Sequence, residues 1–270
     1  MFQNCTKLIN APELPALKLA ESSYYSMFRN CYELETAPNL PSITLANNCY
    51  HFMFNNCKKL KNIQSELPAL ELKPECYNGM YQYCSSLLIP PELPTSDTIP
   101  TRSYYSMFNG CFSLTKTPIL PGKTLDLSAY AYMFKDCKSL TNPPELSAEN
   151  LARAACHRML VGCTNISGTI SLPATNIQED CYEEMLSGCS NITGIDVNFT
   201  DWLVENTGDG DKYNEIDYRP DSNNDGKALF TINWTKGVAS AGTFTCPSAL
   251  NTSLRGDCYI PEGWEITVKE

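Results

Sequence analysis

Histidine, long apolar runs and basic residues are all scarce in this chain. Only two histidines occur among 270 residues, which leaves few side chains for acid–base chemistry near neutral pH. No apolar run approaches the ~18 residues that a transmembrane helix needs. The 20 basic residues are outnumbered by 30 acidic ones, so the net charge is -10 and a phosphate backbone would be repelled. We therefore expect no transmembrane segment in this chain and no nucleic acid among its partners.

What the chain does contain is a repeat. All eight methionines and the cysteine four positions after each fall on one register, with a leucine or isoleucine three positions later. The methionines are Met1, Met27, Met53, Met80, Met107, Met133, Met159 and Met185. A fixed period of this length indicates units that stack and bury a shared core. We divide the chain into an array of eight units of about 26 residues over 1–197 and a non-repeating C-terminal cap over 198–270.

Each unit reads in two halves. Tyr50, Met53 and Phe54 have the i, i+3, i+4 spacing of one helix face, and Asn or Gly often precedes the repeat cysteine, where a helix would end. The stretch 34–40 is short and proline-rich, which favours a short strand and a turn. The expected fold class is an α/β leucine-rich-repeat solenoid. Short parallel strands would line its concave face, short helices its convex face, and a small β-rich cap its C-terminal end.

The repeat resembles that of a known family. The string Met-Phe-x-x-Cys-x-x-Leu, followed by Pro-x-Leu-Pro, is similar to the BspA-type leucine-rich repeats of bacterial surface proteins, and the resemblance covers residues 1 to about 197. The tail segments 234–244 and 260–264 resemble the closing segment of such arrays in gut bacterial proteins. The resemblance implies an extracellular or cell-surface location and binding or adhesion. Because Met1 holds a position inside the repeat, we expect an export signal upstream.

The cysteines are predicted to serve packing and the histidines to lie on the surface, so neither is expected to carry chemistry. Twelve cysteines lie in the repeat, where Ser and Ala replace some of them, so we interpret them as small buried side chains. No C-x-x-C pair marks a zinc site, and we expect no cofactor. His51 and His157 are expected on the exposed face of the predicted helices. Outside the repeat, Cys246 and Cys258 form a disulfide or remain free, and the sequence leaves both open.

The tail carries an acidic insertion over 205–227. Within it Asp221, Asn223 and Asp225 match the first half of a calcium loop, but Ile232 stands where a bidentate Glu is required. An ordinary polar loop is therefore the favoured interpretation. Strands are expected over 228–234, 242–246 and 263–268, with the three tail tryptophans as core anchors.

For function we expect a non-enzymatic interaction module that binds a protein or glycan at the cell exterior. The candidate binding residues follow the repeat leucine on the predicted concave strands: Glu35, Lys61, Asn62, Thr115, Lys116 and Asn142. Two alternatives stay open. The chain could be a structural spacer, or a glycan-active enzyme, since a glycosidase needs only two placed carboxylates.

Overall fold

The structure is a computed structural model that describes residues 1–205 and 227–270, and it is a parallel β-solenoid. Each repeat forms one coil, and corresponding residues of successive coils lie beside each other. No helix occurs in the described residues. The expected α/β fold with short helices on a convex face is therefore wrong, whereas the solenoid itself is confirmed.

The segment expected to be helical is a run of overlapping turns, which we call the turn segment. Within it Met27 N–H donates to the Tyr24 carbonyl at 3.2 Å, a bond across three residues. The next N–H along the chain, that of Phe28, donates instead to Met53 of the following coil at 2.8 Å. This alternation continues along every turn segment. Half of the amide groups thus bond between coils, whereas a helix would keep all of them within one segment.

A left-handed residue at every fourth position produces this backbone. In the second coil these residues are Ser22, Ser26 and Asn30, with φ of 57°, 51° and 63°. Glycine fills the equivalent place at Gly79, Gly110, Gly162 and Gly188. A left-handed residue cannot continue a right-handed helix, and for most L-residues it costs about 1–2 kcal/mol. The bonds between coils offset that cost, so the conformation survives even where the residue is not glycine.

The strands are short, and all but one pair are parallel. In chain order they are β1 (Thr98–Ile99), β2 (Thr124–Leu125), β3 (Asn150–Leu151), β4 (Ser167–Leu172), β5 (Asn176–Ile177), β6 (Asn191–Val197), β7 (Leu203–Glu205), β8 (Lys227–Leu229), β9 (Thr243–Pro247) and β10 (Glu265–Lys269). One sheet has the order β1-β2-β3-β5 and a second the order β10-β9-β6-β4; β7 and β8 pair antiparallel. In the early coils the strand expected over 34–40 shrinks to a single bridge at Thr36.

Identical side chains stack in columns inside the coils. One column joins successive aromatic rings whose centroids are 5.6–5.8 Å apart and whose planes differ by no more than 7°. Its members are Phe2, Phe28, Phe54, Tyr81, Phe108 and Phe134. A parallel column of tyrosines runs from Tyr24 to Tyr130. Such stacks supply large apolar burial with no change of side chain from coil to coil.

The tail continues the solenoid beyond the last methionine. Leu186 N–H donates to the Trp234 carbonyl at 2.8 Å and Gly188 N–H to Lys236 at 2.7 Å, so residues 230–237 form another turn segment. The segment 228–234 is therefore a strand only as far as Leu229. The other two expected tail strands correspond to β9 and β10. Trp202, Trp234 and Trp264 are buried, which confirms them as core anchors. The division of the chain at residue 197 stays a prediction.

Glycine substitutions at two adjacent exposed serines test whether this backbone is a run of turns or a helix. Ser22 is left-handed and Ser23 is not. We expect Ser22→Gly to raise the free energy of unfolding by roughly 0.5–1 kcal/mol, because relief of the left-handed strain exceeds the entropy cost of glycine. Ser23→Gly, the matched control, should lower it by a similar amount. Urea denaturation measures both changes, and a loss of stability in both variants would favour a helix instead.

Candidate functional site

The six predicted binding residues lie together in two adjacent columns, which we call the ladder face. Asn62 is paired with Thr36 in a parallel bridge, and Lys61 N–H donates to the Glu35 carbonyl at 3.1 Å. Thr115 continues the first column, because its N–H donates to the Leu88 carbonyl at 3.0 Å. Of the six side chains, Glu35 is half-buried and the other five are exposed. They are accessible, but their role in binding stays a prediction.

Neighbouring coils engage several of these side chains. Lys61 Nζ lies 3.1 Å from Glu35 Oε2, and Asn62 Nδ2 donates to Thr36 Oγ1 at 3.1 Å. Exposed contacts of this kind contribute at most about 1 kcal/mol each, so a partner could displace them. Lys116 makes no ion pair or hydrogen bond within the part of the chain that the structure describes. Its side chain borders a shallow depression lined by Pro90, Pro91 and Ile119.

Three apolar residues on this side of the coils were not among the predicted binding residues. Leu88 is 51% exposed, Ile89 55% and Ile119 86%. We call them the central patch. Leu88 and Ile89 occupy the ladder-face columns between Lys61 and Asn62 on one side and Thr115 and Lys116 on the other. The sequence does contain a signal for two of them. Leu88 and Ile89 form an apolar pair at surface positions that are polar in the units on either side.

The two histidines are buried more than the sequence suggested. His157 is 1% exposed, and its Nε2 lies 3.1 Å from the Tyr132 hydroxyl. The His51 side chain is 12% exposed, and its Nδ1 lies 3.4 Å from Glu75 Oε2. The expectation that both lie on an exposed helix face is wrong. Both histidines precede a left-handed residue, and the turn places each ring against a ring of the neighbouring coil, whereas a helix would have pointed it outward.

Burial outweighs the nearby carboxylates in setting the histidine pKa values. Desolvation, reinforced by the charge of Arg29, lowers the pKa of His51 from 6.5 to about 4. Desolvation, with Arg158 and Arg153, lowers the pKa of His157 from 6.5 to about 3, although Glu183 Oε2 is 3.6 Å from its Nδ1. Both rings are therefore neutral at pH 7, and neither is a ready proton donor there.

The repeat cysteines form a ladder of buried hydrogen-bond donors. In the Met107 coil the Cys111 thiol donates to the Tyr81 carbonyl of the preceding coil at 3.1 Å. Equivalent bonds of 3.0–3.2 Å recur from Cys31 to Cys189. Burial raises the pKa of Cys189 to about 12. A thiol that stays protonated is neither a nucleophile nor a metal ligand, which agrees with a packing role.

The tail cysteines are not joined in this structure. Cys246 and Cys258 are both free thiols, and the Cys258 sulfur accepts a hydrogen bond from Asn233 N–H at 3.4 Å. The disulfide alternative is therefore absent here. The calcium candidates Asp221, Asn223 and Asp225 lie outside the described residues. Within residues 1–205 and 227–270, no group of three His, Cys, Asp or Glu side chains is arranged to hold a metal.

Comparison with known proteins assigns the chain to no family. No protein-family model matches the chain, and no curated protein matches it. Among solved structures, the chain is similar to a leucine-rich repeat protein from Bacteroides ovatus ATCC 8483 at 16% identity, over 100% of this chain and 86% of that one. The TM-score is 0.37. Over the described residues, no helix has the length and apolar character needed to cross a bilayer.

The buried histidines predict a pH-dependent stability. As the pH falls below about 6.5, the unfolded chain takes up protons that folded His51 and His157 refuse until about pH 4 and pH 3. Between pH 7 and pH 5 we expect each histidine to cost on the order of 1–2 kcal/mol of folding free energy. Urea denaturation at both pH values should show a smaller loss in His157→Gln than in the wild type. An equal loss in both would contradict the assignment.

Proposed function

We propose that this chain is a non-enzymatic interaction module that binds a protein partner through the ladder face. The observation that carries the proposal is the central patch, in which Leu88, Ile89 and Ile119 are all more than half exposed. Contiguous exposed apolar side chains on a soluble surface mark interaction sites. Adhesion to a protein at the cell exterior is the form of binding that we favour.

The composition around the patch supports a protein partner. Lys61, Asn62, Thr115 and Lys116 are exposed polar side chains on the flanking coils. Protein interfaces have the same layout, with an apolar centre and a hydrated polar rim. The depression beside Lys116 adds a concave, proline-lined surface that an apolar side chain of the partner can enter.

The pKa values of the buried histidines and of Cys189 support the part of the proposal that the module is non-enzymatic. Acid–base catalysis near pH 7 works best with a group whose pKa is close to that pH. Burial moves the histidine pKa values down to about 4 and 3 and the pKa of Cys189 up to about 12, away from that range on both sides. Neither the histidines nor Cys189 is therefore matched to acid–base catalysis near pH 7.

Acidic substitutions test the central patch. We expect the double variant Leu88→Asp with Ile89→Asp to weaken binding to an array of immobilised matrix proteins and mucins at least about tenfold, because truncating a desolvated centre costs most of the affinity. Surface plasmon resonance measures the change. The matched control is Leu70→Asp, since Leu70 is 77% exposed in a different column. An equal loss in the control, or no protein bound by the wild type, would contradict the proposal.

An exterior location is the second part of the proposal, supported by the resemblance of the repeat to bacterial surface proteins. The burial of most thiols is compatible with it, because buried thiols resist oxidation. We expect a membrane-impermeant biotin reagent to label the protein on intact producing cells, with a cytoplasmic enzyme as the unlabelled control. Labelling only after lysis would place the chain inside the cell and remove this part of the proposal.

A further inference from the structure

The outward side of the stacked turn segments, the turn face, carries a shallow groove that differs from the ladder face. Three aromatic side chains line it, Phe52, Tyr105 and Tyr132, together with Gln82 and Lys135. None of the described residues that line the groove is a carboxylate, although the whole chain has a net charge of -10. The groove is thus a locally aromatic and cationic surface on an acidic protein.

The aromatic rings of the groove are held in place by the repeat. The Phe52 ring lies against Gly79 of the next coil, at a place that any side chain at Gly79 would fill. The Tyr105 and Tyr132 rings lie 5.3 Å apart with an interplanar angle of 55°. Rings fixed by the backbone can accept a flat ligand without losing further side-chain entropy.

Two cations lie at the groove, Lys135 in its lining and Arg29 beside the Phe52 ring. The Arg29 guanidinium carbon is 5.6 Å from the centre of the Phe52 ring, and its Nε is buried without a hydrogen-bond partner. Lys135 Nζ is 5.7 Å from the centre of the Tyr132 ring. Among the described residues neither side chain has an acidic partner. An anionic ligand group would supply what both lack.

We propose that this groove binds an acidic oligosaccharide, whose sugar rings stack on Phe52, Tyr105 and Tyr132 and whose acidic groups pair with Arg29 and Lys135. Sugars offer an apolar ring face to aromatic side chains and hydroxyl groups to amides such as Gln82. The two residues belong to coils that are four apart, a backbone separation of roughly 19 Å at the usual strand spacing. That separation fits a chain with widely spaced acidic groups better than a densely charged polyanion.

This second site is independent of the proposed protein-binding function. The groove and the central patch lie in different columns of the coil and share no residue. Acidic substitutions at Leu88 and Ile89 should therefore leave oligosaccharide affinity unchanged. Failure of one site would be distinguishable from failure of the other.

The test uses a hyaluronan hexasaccharide, in which every second sugar carries a carboxylate, and isothermal titration calorimetry with the full chain. We expect saturable binding that weakens with added salt, since the pairs are partly exposed. Lys135→Gln and Arg29→Gln should each weaken binding about tenfold, the usual loss for one charge-assisted hydrogen bond. The matched controls are Lys138→Gln and Lys58→Gln, which remove cations that lie over Phe112 and Tyr32 away from the groove, and they should bind as the wild type does.

Four outcomes would overturn the proposal. They are no binding of the hexasaccharide by the wild type, equal losses in the Lys135 and Lys138 variants, equal binding of neutral chitohexaose, and tighter binding of an acidic peptide or a uridylate hexamer. The variant Phe52→Leu separates stacking from charge: it keeps an apolar side chain but should weaken binding. Its thermal unfolding midpoint confirms that the chain is folded.

Discussion

The hydrogen bonds between turn segments are the interaction on which the rest of this molecule depends. Every second amide of a turn segment donates to the next coil, as Phe28 does to Met53, and the amides between them close turns within the coil. Neither set can form without a left-handed residue at every fourth position. The geometry therefore fixes the register between coils before any side chain contributes, and a slip by one residue would place a right-handed position where a left-handed one is needed.

Fixed register explains the side-chain columns. Once equivalent residues lie beside each other, a side chain that packs well in one coil packs equally well in the next, so the same aromatic ring or thiol recurs. The cysteine ladder shows a second reason for repetition. The Tyr81 carbonyl accepts both the Cys84 N–H of its own coil and the Cys111 thiol of the next, which satisfies both of its lone pairs. An alanine in place of Cys111 would fit the space, but it would leave the second lone pair of the Tyr81 carbonyl oxygen without a hydrogen-bond donor.

Much of the fold follows from the sequence, and the error in it has a physical cause. The period, the buried columns and the tail strands over 242–246 and 263–268 all follow from spacing and composition. The helix was wrong because Tyr50, Met53 and Phe54 are buried at the same spacing in a helix and in a run of four-residue turns. The distinguishing signal lay at the positions between them. Ser22, Ser26 and Asn30 and their equivalents recur every four residues and are often Ser, Asn, Asp or Gly, several of which tolerate a left-handed conformation. The histidine environments could not be predicted, because they depend on which way the turn directs each side chain.

The surface follows different rules from the core, and this is why sites can arise on a repeat. A coil contacts only its neighbours, so an exposed substitution in one unit leaves distant units unchanged. The ladder face could acquire Leu88 and Ile89 in a single coil, while the polar positions Lys61 and Lys116 on either side remained. The groove required more, because Phe52 needs glycine at position 79 in the next coil to lie flat. The same relation joins Tyr83 to Gly110 outside the groove, so the exposed rings of the turn face depend on paired changes in adjacent units, which a single exposed substitution does not require.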